Sequence, residues 1–263
     1  MLFKLPLRRL LCVFVTLSTT LACSFAQATD GQKLQIGITL HPYYSFVSNI
    51  VGDKADVIPL IPAGFNPHAY EPRAEDIKRI GELDVIVLNG IGHDDFADRM
   101  IAASEKPDIA LIEANANVPL LSATGMAARG AGKVVNPHTF LSISASIAQI
   151  NTIARELGKL DPDNARAYSQ NARAYGKQLR TMRAEALTKL SQSQGAELRV
   201  ATIHGAYDYL LREFGLEVTA VVEPAHGIEP SPSHWPDAAS GGTQPALVGR
   251  PRDHWLCAAS AGI

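Results

Sequence analysis

Two histidines occupy the same short motif at distant points of the chain. His68 lies in Asn66-Pro67-His68 and His138 in Asn136-Pro137-His138, about 70 residues later. Proline fixes its own φ and pushes the preceding residue toward extended conformations. Each triplet is therefore expected to present its imidazole from a stiff turn, which suits a metal ligand.

A third histidine, His204, directly follows the apolar run from Arg199 to Ile203. In open α/β sheets, ligands bind in the crevice beyond the carboxyl ends of the strands, and His68 and His138 also follow apolar runs. Three imidazoles that converge there favour Zn²⁺ over Mg²⁺ or Ca²⁺, because those two ions prefer oxygen ligands. We predict that His68, His138 and His204 bind a metal ion.

Three further histidines have weaker claims to the site. His41 follows the first apolar run, and we interpret it as a loop residue. His93 follows the run from Val85 to Leu88 and is a candidate for the same cleft, but Asp94 and Asp95 after it equally suit a helix N-terminus. His226 falls in a proline- and glycine-containing segment, where we expect a loop.

Motif and charge patterns exclude several other functions. The sequence has no His-Glu-x-x-His helix, no phosphate-binding loop and no Gly-x-Ser-x-Gly elbow. Without residues 1–28, the chain carries 21 basic and 26 acidic residues. A mildly acidic protein lacks the clustered cations that nucleic acid requires, so we expect no nucleic-acid partner.

The elements that would position these histidines alternate along the chain. Segments such as Ala74 to Ile80 and Asp94 to Ala103 have helical spacing of apolar residues. They alternate with Val- and Ile-rich runs, a pattern typical of an α/β protein with largely parallel sheets. The predicted strands are Leu34 to Thr39, Val57 to Ile61, Val85 to Leu88, Ile109 to Ile112, Arg199 to Ile203 and Val218 to Val222.

One long helix interrupts this alternation. A single apolar stripe runs from Tyr168 through Met182 to Ala186, and Asp161-Pro162 provides an N-cap followed by proline at the first helical position. We predict a linking helix over residues 161–193 that joins two α/β lobes, although an ordinary packing helix fits the same stripe. After His234 no regular period persists, and we assign no element to residues 234–263.

The N-terminus predicts export. Lys4, Arg8 and Arg9 precede a short apolar run, and Ala26-Gln27-Ala28 fits a signal-peptidase site, so residues 1–28 are interpreted as a signal peptide. Lipoprotein anchoring through Cys23 is an alternative, although Thr20 stands where such signals carry leucine. Cys12 and Cys23 fall within the signal, so the mature chain keeps only Cys257 and no internal disulfide is expected.

In combination these motifs resemble the periplasmic zinc- and manganese-binding proteins of ABC importers. The resemblance runs from about Leu34 to Ser233 and includes both Asn-Pro-His segments, the long helix and Ala201-Thr-Ile-His204-Gly-Ala-Tyr-Asp-Tyr209. It implies two Rossmann-like lobes joined by a rigid helix, with one metal ion delivered to an inner-membrane permease powered by an ATPase. It also implies that His68, His138 and His204 are the first three ligands. A histidine at the third position favours Zn²⁺, because manganese-selective members carry a carboxylate there.

The chain departs from that family in two places. The histidine-rich loop of many zinc-specific members would fall between Asn115 and Lys133, where no histidine occurs. After Ser233, where the family continues with a segment that brings the fourth ligand, the composition changes abruptly, and we interpret the change as a reading-frame shift. The expected organisation is a signal peptide (1–28), an N-terminal α/β lobe (29–160), the linking helix (161–193), a partial C-terminal lobe (194–233) and a tail outside the family pattern (234–263).

Three alternatives to zinc capture by a monomeric, non-enzymatic binding protein stay open at this point. The cargo is Mn²⁺, or the protein is a surface adhesin on the same scaffold, or it is a zinc hydrolase with an open fourth coordination position. A hydrolase would need a general base, and Glu71 is the candidate if its side chain points back at the metal.

Overall fold

The computed structural model describes residues 33–123, 134–192, 199–202, 204–221 and 255–258. The elements below all belong to one compact unit that begins at Leu34. The predicted signal peptide, His226 and Ile203 lie outside the described residues.

The first sheet has four parallel strands in the order β2-β1-β3-β4. Its central strand β3 is buried on both faces: Val85 and Val87 pack into one core cluster, whereas Ile86 and Leu88 pack into the other. This two-sided burial explains why the strands read as continuous apolar runs. The strands are β1 (Leu34–Ile38), β2 (Ala55–Pro59), β3 (Val85–Leu88) and β4 (Ala110–Glu113).

Helices cover both faces of this sheet, which confirms the α/β class. One core cluster joins the sheet to α1, α4 and α5, and the other joins it to α2 and α3. The described helices are α1 (His41–Val51), α2 (Ala74–Ile80), α3 (Asp95–Ala102), α4 (Ile143–Leu160), α5 (Ala165–Gln192) and α6 (Asp208–Glu213), with 3₁₀ turns at Pro67–Ala69 and Thr139–Leu141. No helix among the described residues is long and apolar enough to cross a membrane.

The long helix α5 begins later than the sequence predicts. Asp161 ends α4, and its carboxylate accepts hydrogen bonds from Asn164 and from the Tyr168 hydroxyl, so the expected N-cap at Asp161 is wrong. The 28 residues of α5 span about 42 Å at 1.5 Å per residue. Tyr168 and Ala172 are buried in the core, whereas Met182 is 50% exposed. The apolar residues in the first half of α5 are therefore buried more deeply than those in the second half.

A second parallel sheet contains β5 (Arg199–Thr202), β6 (Val218–Val221) and β7 (Trp255–Ala258), in the order β6-β5-β7. The first two strands are predicted from the sequence. The third is not, because no regular period marks residues 234–263, yet Trp255–Ala258 pairs along the whole of β5. Strand β5 leads to His204, so this sheet carries the third predicted ligand.

Candidate metal centre

Both Asn-Pro-His triplets fold into the same turn. The Oδ1 atom of Asn66 accepts a hydrogen bond from the backbone N–H of His68 at 3.0 Å, and Oδ1 of Asn136 accepts one from His138 at 3.1 Å. The first triplet enters a 3₁₀ turn at Pro67, and the second precedes one at Thr139. The asparagine side chain thus closes the stiff turn that the proline was expected to form.

The amide of Asn136 also determines which nitrogen of His138 carries a proton. Its Nδ2 donates to the carbonyl oxygen of Gly205 (2.9 Å), which can only accept, and to the Asp208 carboxylate (2.8 Å). Oδ1 is therefore the acceptor that faces Nδ1 of His138 at 2.9 Å. In a neutral imidazole Nδ1 then donates, which leaves the lone pair of His138 on Nε2, the nitrogen that faces His204.

The three histidines predicted from the sequence lie together. Nε2 of His138 and Nε2 of His204 are 3.0 Å apart, and the ring centroid of His68 is 5.5 Å from that of His138 and 5.4 Å from that of His204. A neutral His138 with its proton on Nδ1 would accept across this contact from Nε2 of His204. A cation bound in place of the proton between these two Nε2 atoms would contact both of them.

His93, the weaker candidate, lies beside two of these three histidines. His68, His93 and His138 place one ring nitrogen each within 4.8 Å of the others. The His93 ring is 4.2 Å from His68 and 4.8 Å from His138, centroid to centroid. The sequence signal was its position beyond β3, the strand-end rule that also selected His204. Asp94 and Asp95 do lie at the start of α3, but this does not prevent His93 from facing the cluster.

A buried polar network connects the strand ends to the His138 turn. Oδ1 of Asn89 accepts from the Tyr43 hydroxyl (2.6 Å) and from Nδ2 of Asn115 (2.8 Å), while Nδ2 of Asn89 donates to the carbonyl oxygen of Pro137 (3.2 Å). Nε2 of Gln149 donates to Oδ1 of Asn115 at 2.8 Å. Burial raises the pKa of Tyr43 well above its ordinary value, and the Asp94 carboxylate raises it further, so the hydroxyl stays a neutral donor. Such a network holds the turn in one geometry.

A buried carboxylate ties the segment after His204 to the first sheet's helices. Glu213, whose side chain is 5% exposed, accepts from Ser142 Oγ (2.9 Å), from the Ile143 and Ser144 N–H groups (2.8 and 3.0 Å) and from the Ser144 hydroxyl. It also pairs with Arg183 of α5 at 2.6 Å. Burial raises the pKa of Glu213, but the hydrogen bonds outweigh burial and hold the pKa below its ordinary value. The acceptor sits at the N-terminus of α4, where a negative charge is favoured.

Two residues weighed from the sequence lie apart from the cluster. His41 begins α1 and makes no ring contact with the clustered histidines in the part of the chain that the structure describes. The side chain of Glu71 is 88% exposed and lies 3.8 Å from Arg99. Glu71 therefore faces solvent and Arg99, and the condition under which it could act as a general base is not met.

The fold and the histidine cluster define a metal-binding substrate-binding protein, and comparison with known proteins agrees. A family model described as "Zinc-uptake complex component A periplasmic" matches residues 36–239. The chain belongs to this family, whose members are solute-binding proteins of ABC importers and not enzymes.

Solved and curated relatives differ in their metals. The substrate-binding protein FpvC of Pseudomonas aeruginosa, solved with Mn²⁺, is 82% identical over 77% of this chain and 74% of its own, with a TM-score of 0.73. FpvC with Ni²⁺ gives 77% identity, 77% and 72% coverage and a TM-score of 0.70. The manganese ABC transporter substrate-binding lipoprotein PsaA of Streptococcus anginosus is 28% identical over 79% of this chain and 68% of its own. The high-affinity zinc uptake system protein ZnuA of Bacillus subtilis is 28% identical over 81% and 66%.

Proposed function

We propose that this protein captures Zn²⁺ with His68, His138 and His204 and delivers it to the permease of an ABC importer. The observation that carries the proposal is the convergence of these three rings, with the Nε2 atoms of His138 and His204 3.0 Å apart. A tetrahedral zinc ion with Zn–N distances of 2.0–2.1 Å separates its ligand nitrogens by about 3.3 Å. The two nitrogens already stand close to that spacing.

The ligand chemistry favours zinc over manganese. Imidazole suits Zn²⁺ and Ni²⁺, whereas Mn²⁺ binds the same nitrogen ligands more weakly and prefers carboxylate and water. Manganese is nevertheless the second candidate, because a relative 82% identical to this chain was solved with Mn²⁺. Direct competition between the two ions separates these possibilities.

The proposed setting is the periplasm. Residues 1–28 would direct export and be removed, and the mature protein would act as a monomer with an inner-membrane permease and its ATPase. Several relatives are named lipoproteins, so anchoring at Cys23 is the alternative. The mass of the exported protein distinguishes them, since cleavage after Ala28 leaves an unmodified chain that begins at Thr29.

The test is a thermal melt of the mature chain after chelator treatment, with Zn²⁺, Mn²⁺ or Ni²⁺ added at equal concentration. Ligand at about 100 times its Kd adds about 2.7 kcal/mol of stability, which raises Tm by about 5–10 °C for a chain of this size. His68→Ala, His138→Ala and His204→Ala should each abolish the zinc shift. His41→Ala is the matched control and should retain it.

Each outcome has a defined meaning. A zinc shift that survives His138→Ala would refute the proposed ligand set. A larger shift with Mn²⁺ than with Zn²⁺ would make manganese the cargo.

A further inference from the structure

We propose that His93 is a fourth ligand, so that the bound cation is held by four imidazoles. This inference rests on the proposed function, since it extends the same site. It extends the sequence-based ligand set of His68, His138 and His204, for which His93 is a weaker candidate. The juxtaposition that supports it is the contact of the His93 ring with both His68 and His138.

Five of the six pairs among the four rings have spacings compatible with one small cation. Ring centroids of four imidazoles around a tetrahedral zinc ion would lie about 5.2 Å apart, given Zn–N distances of 2.0–2.1 Å. The observed pairs bracket this value: 4.2 Å for His68–His93, 4.8 Å for both His93–His138 and His138–His204, 5.4 Å for His68–His204 and 5.5 Å for His68–His138. Ring nitrogens of His68, His93 and His138 within 4.8 Å need to approach by no more than about 1.5 Å to reach the tetrahedral spacing of about 3.3 Å.

The loop before His93 is built to hold the ring in place. Gly90 and Gly92 have φ values of +71° and +95°, a conformation that residues with a side chain rarely adopt. The Asp94 carboxylate accepts hydrogen bonds from the backbone N–H groups of Asn89 (2.6 Å) and Gly90 (3.0 Å). These bonds close the loop that contains His93, the residue before Asp94. These contacts fix the residues on both sides of His93.

A second anchor ties this loop to the neighbouring strand. The hydroxyl of Thr39, at the end of β1, donates to Asp94 at 2.6 Å. His93 is 6% exposed, and its ring also contacts Phe140 at 5.6 Å between centroids. A ligand that is oriented in this way by surrounding contacts loses little freedom when a metal binds.

A fourth imidazole changes what the site can do. Three protein ligands leave a position for water, as catalytic zinc requires, whereas four close the coordination shell. The ligands would all be neutral nitrogens, which favours Zn²⁺ and Ni²⁺ over Mn²⁺ more strongly than a set that includes a carboxylate. His93 would therefore act as a specificity determinant as well as a ligand.

The first experiment counts ligands directly. X-ray absorption at the zinc edge of the loaded, full mature protein should fit four imidazole nitrogens at 2.0–2.1 Å. In His93→Ala the count should fall to three, with an oxygen from water in the fourth position. Four imidazoles in the unmutated protein support the proposal even if the variant does not fold, and three imidazoles plus oxygen in the unmutated protein overturn it.

The second experiment measures affinity by competition with a zinc chelator. His93→Ala and the more conservative His93→Gln should weaken zinc binding at least as much as the loss of an outer hydrogen-bond partner, about 10–100-fold, and should reduce the preference for Zn²⁺ over Mn²⁺. His41→Ala should change neither quantity. If His93→Ala keeps full affinity and coordination while His138→Ala loses zinc, His93 is only a packing residue and the proposed function stands. If His138→Ala also keeps zinc, the proposed function itself fails.

Discussion

Replacing Asn136 with alanine removes the side chain that holds both His138 and the loop of His204. The Asn136 residue is 1% exposed, and its amide makes four hydrogen bonds, to the N–H and Nδ1 of His138, to Gly205 and to Asp208. At about 0.5–1.5 kcal/mol for each bond, we expect a loss of about 2–6 kcal/mol in the free energy of unfolding. Because Nδ1 of His138 loses its acceptor, zinc affinity should fall by about 10–100-fold.

The matched control is Asn66→Ala in the other triplet. Asn66 is exposed, and its Oδ1 accepts the same hydrogen bond from the following histidine's backbone, from His68 at 3.0 Å. Asn66→Ala should cost about 0.5–1.5 kcal/mol and weaken zinc binding much less than Asn136→Ala does. The assays are denaturant unfolding of the metal-free protein and zinc titration against a competing chelator. Equal zinc affinities for the two variants would refute the argument that the Nδ1 contact orients His138.

Two further substitutions test the packing around the site. Glu213→Gln should destabilise the protein by about 1–3 kcal/mol at neutral pH, because it removes a buried charge that pairs with Arg183. The pKa of Glu213 is held below its ordinary value of 4.5 when folded. Its stabilisation is therefore present at neutral pH and lost as pH falls below about 4.5. The difference between wild type and variant should shrink in acid, and a constant difference would contradict this. Gly37→Ala should cost about 1–3 kcal/mol, because a Cβ there would lie 2.6 Å from Cδ1 of Leu83; unchanged thermal melting would show that Leu83 moves aside.

The strands of the first sheet could be predicted because burial on both faces leaves a continuous apolar run. Each predicted strand overlaps an observed one, and the ends differ by a residue or two, as with Val57 to Ile61 against Ala55–Pro59. The start of α5 could not be predicted in the same way. Asp161-Pro162 satisfies the pattern for a helix start, but tertiary structure uses Asp161 to end α4 and to bind the Tyr168 hydroxyl. Strand β7 has four residues and no flanking period, so nothing local marked it.

The candidate site, too, could be predicted from the sequence only in part. The repeated triplet and the strand-end rule selected His68, His138 and His204 from the sequence, and the structure brings them together, although their role as ligands stays a prediction. The rule also reached His93, but spacing alone cannot say which of several strand-end loops turns inward. That choice depends on the positive φ of Gly90 and Gly92 and on the Asp94 carboxylate, which folds the loop back on itself.

The two asparagines of the repeated triplet make different sets of hydrogen bonds. Asn66 closes a turn near the surface, a role that aspartate fills equally well. Asn136 must accept from His138 and donate to Gly205 and Asp208 at the same time. Only an amide does both, since a carboxylate would have no proton to donate and would repel Asp208 at a distance of about 2.8 Å. Asn136 also links the Asp208 carboxylate to the His138 ring. If His138 binds the cation as proposed, this link would place a negative charge behind the ligand without making the carboxylate a ligand itself.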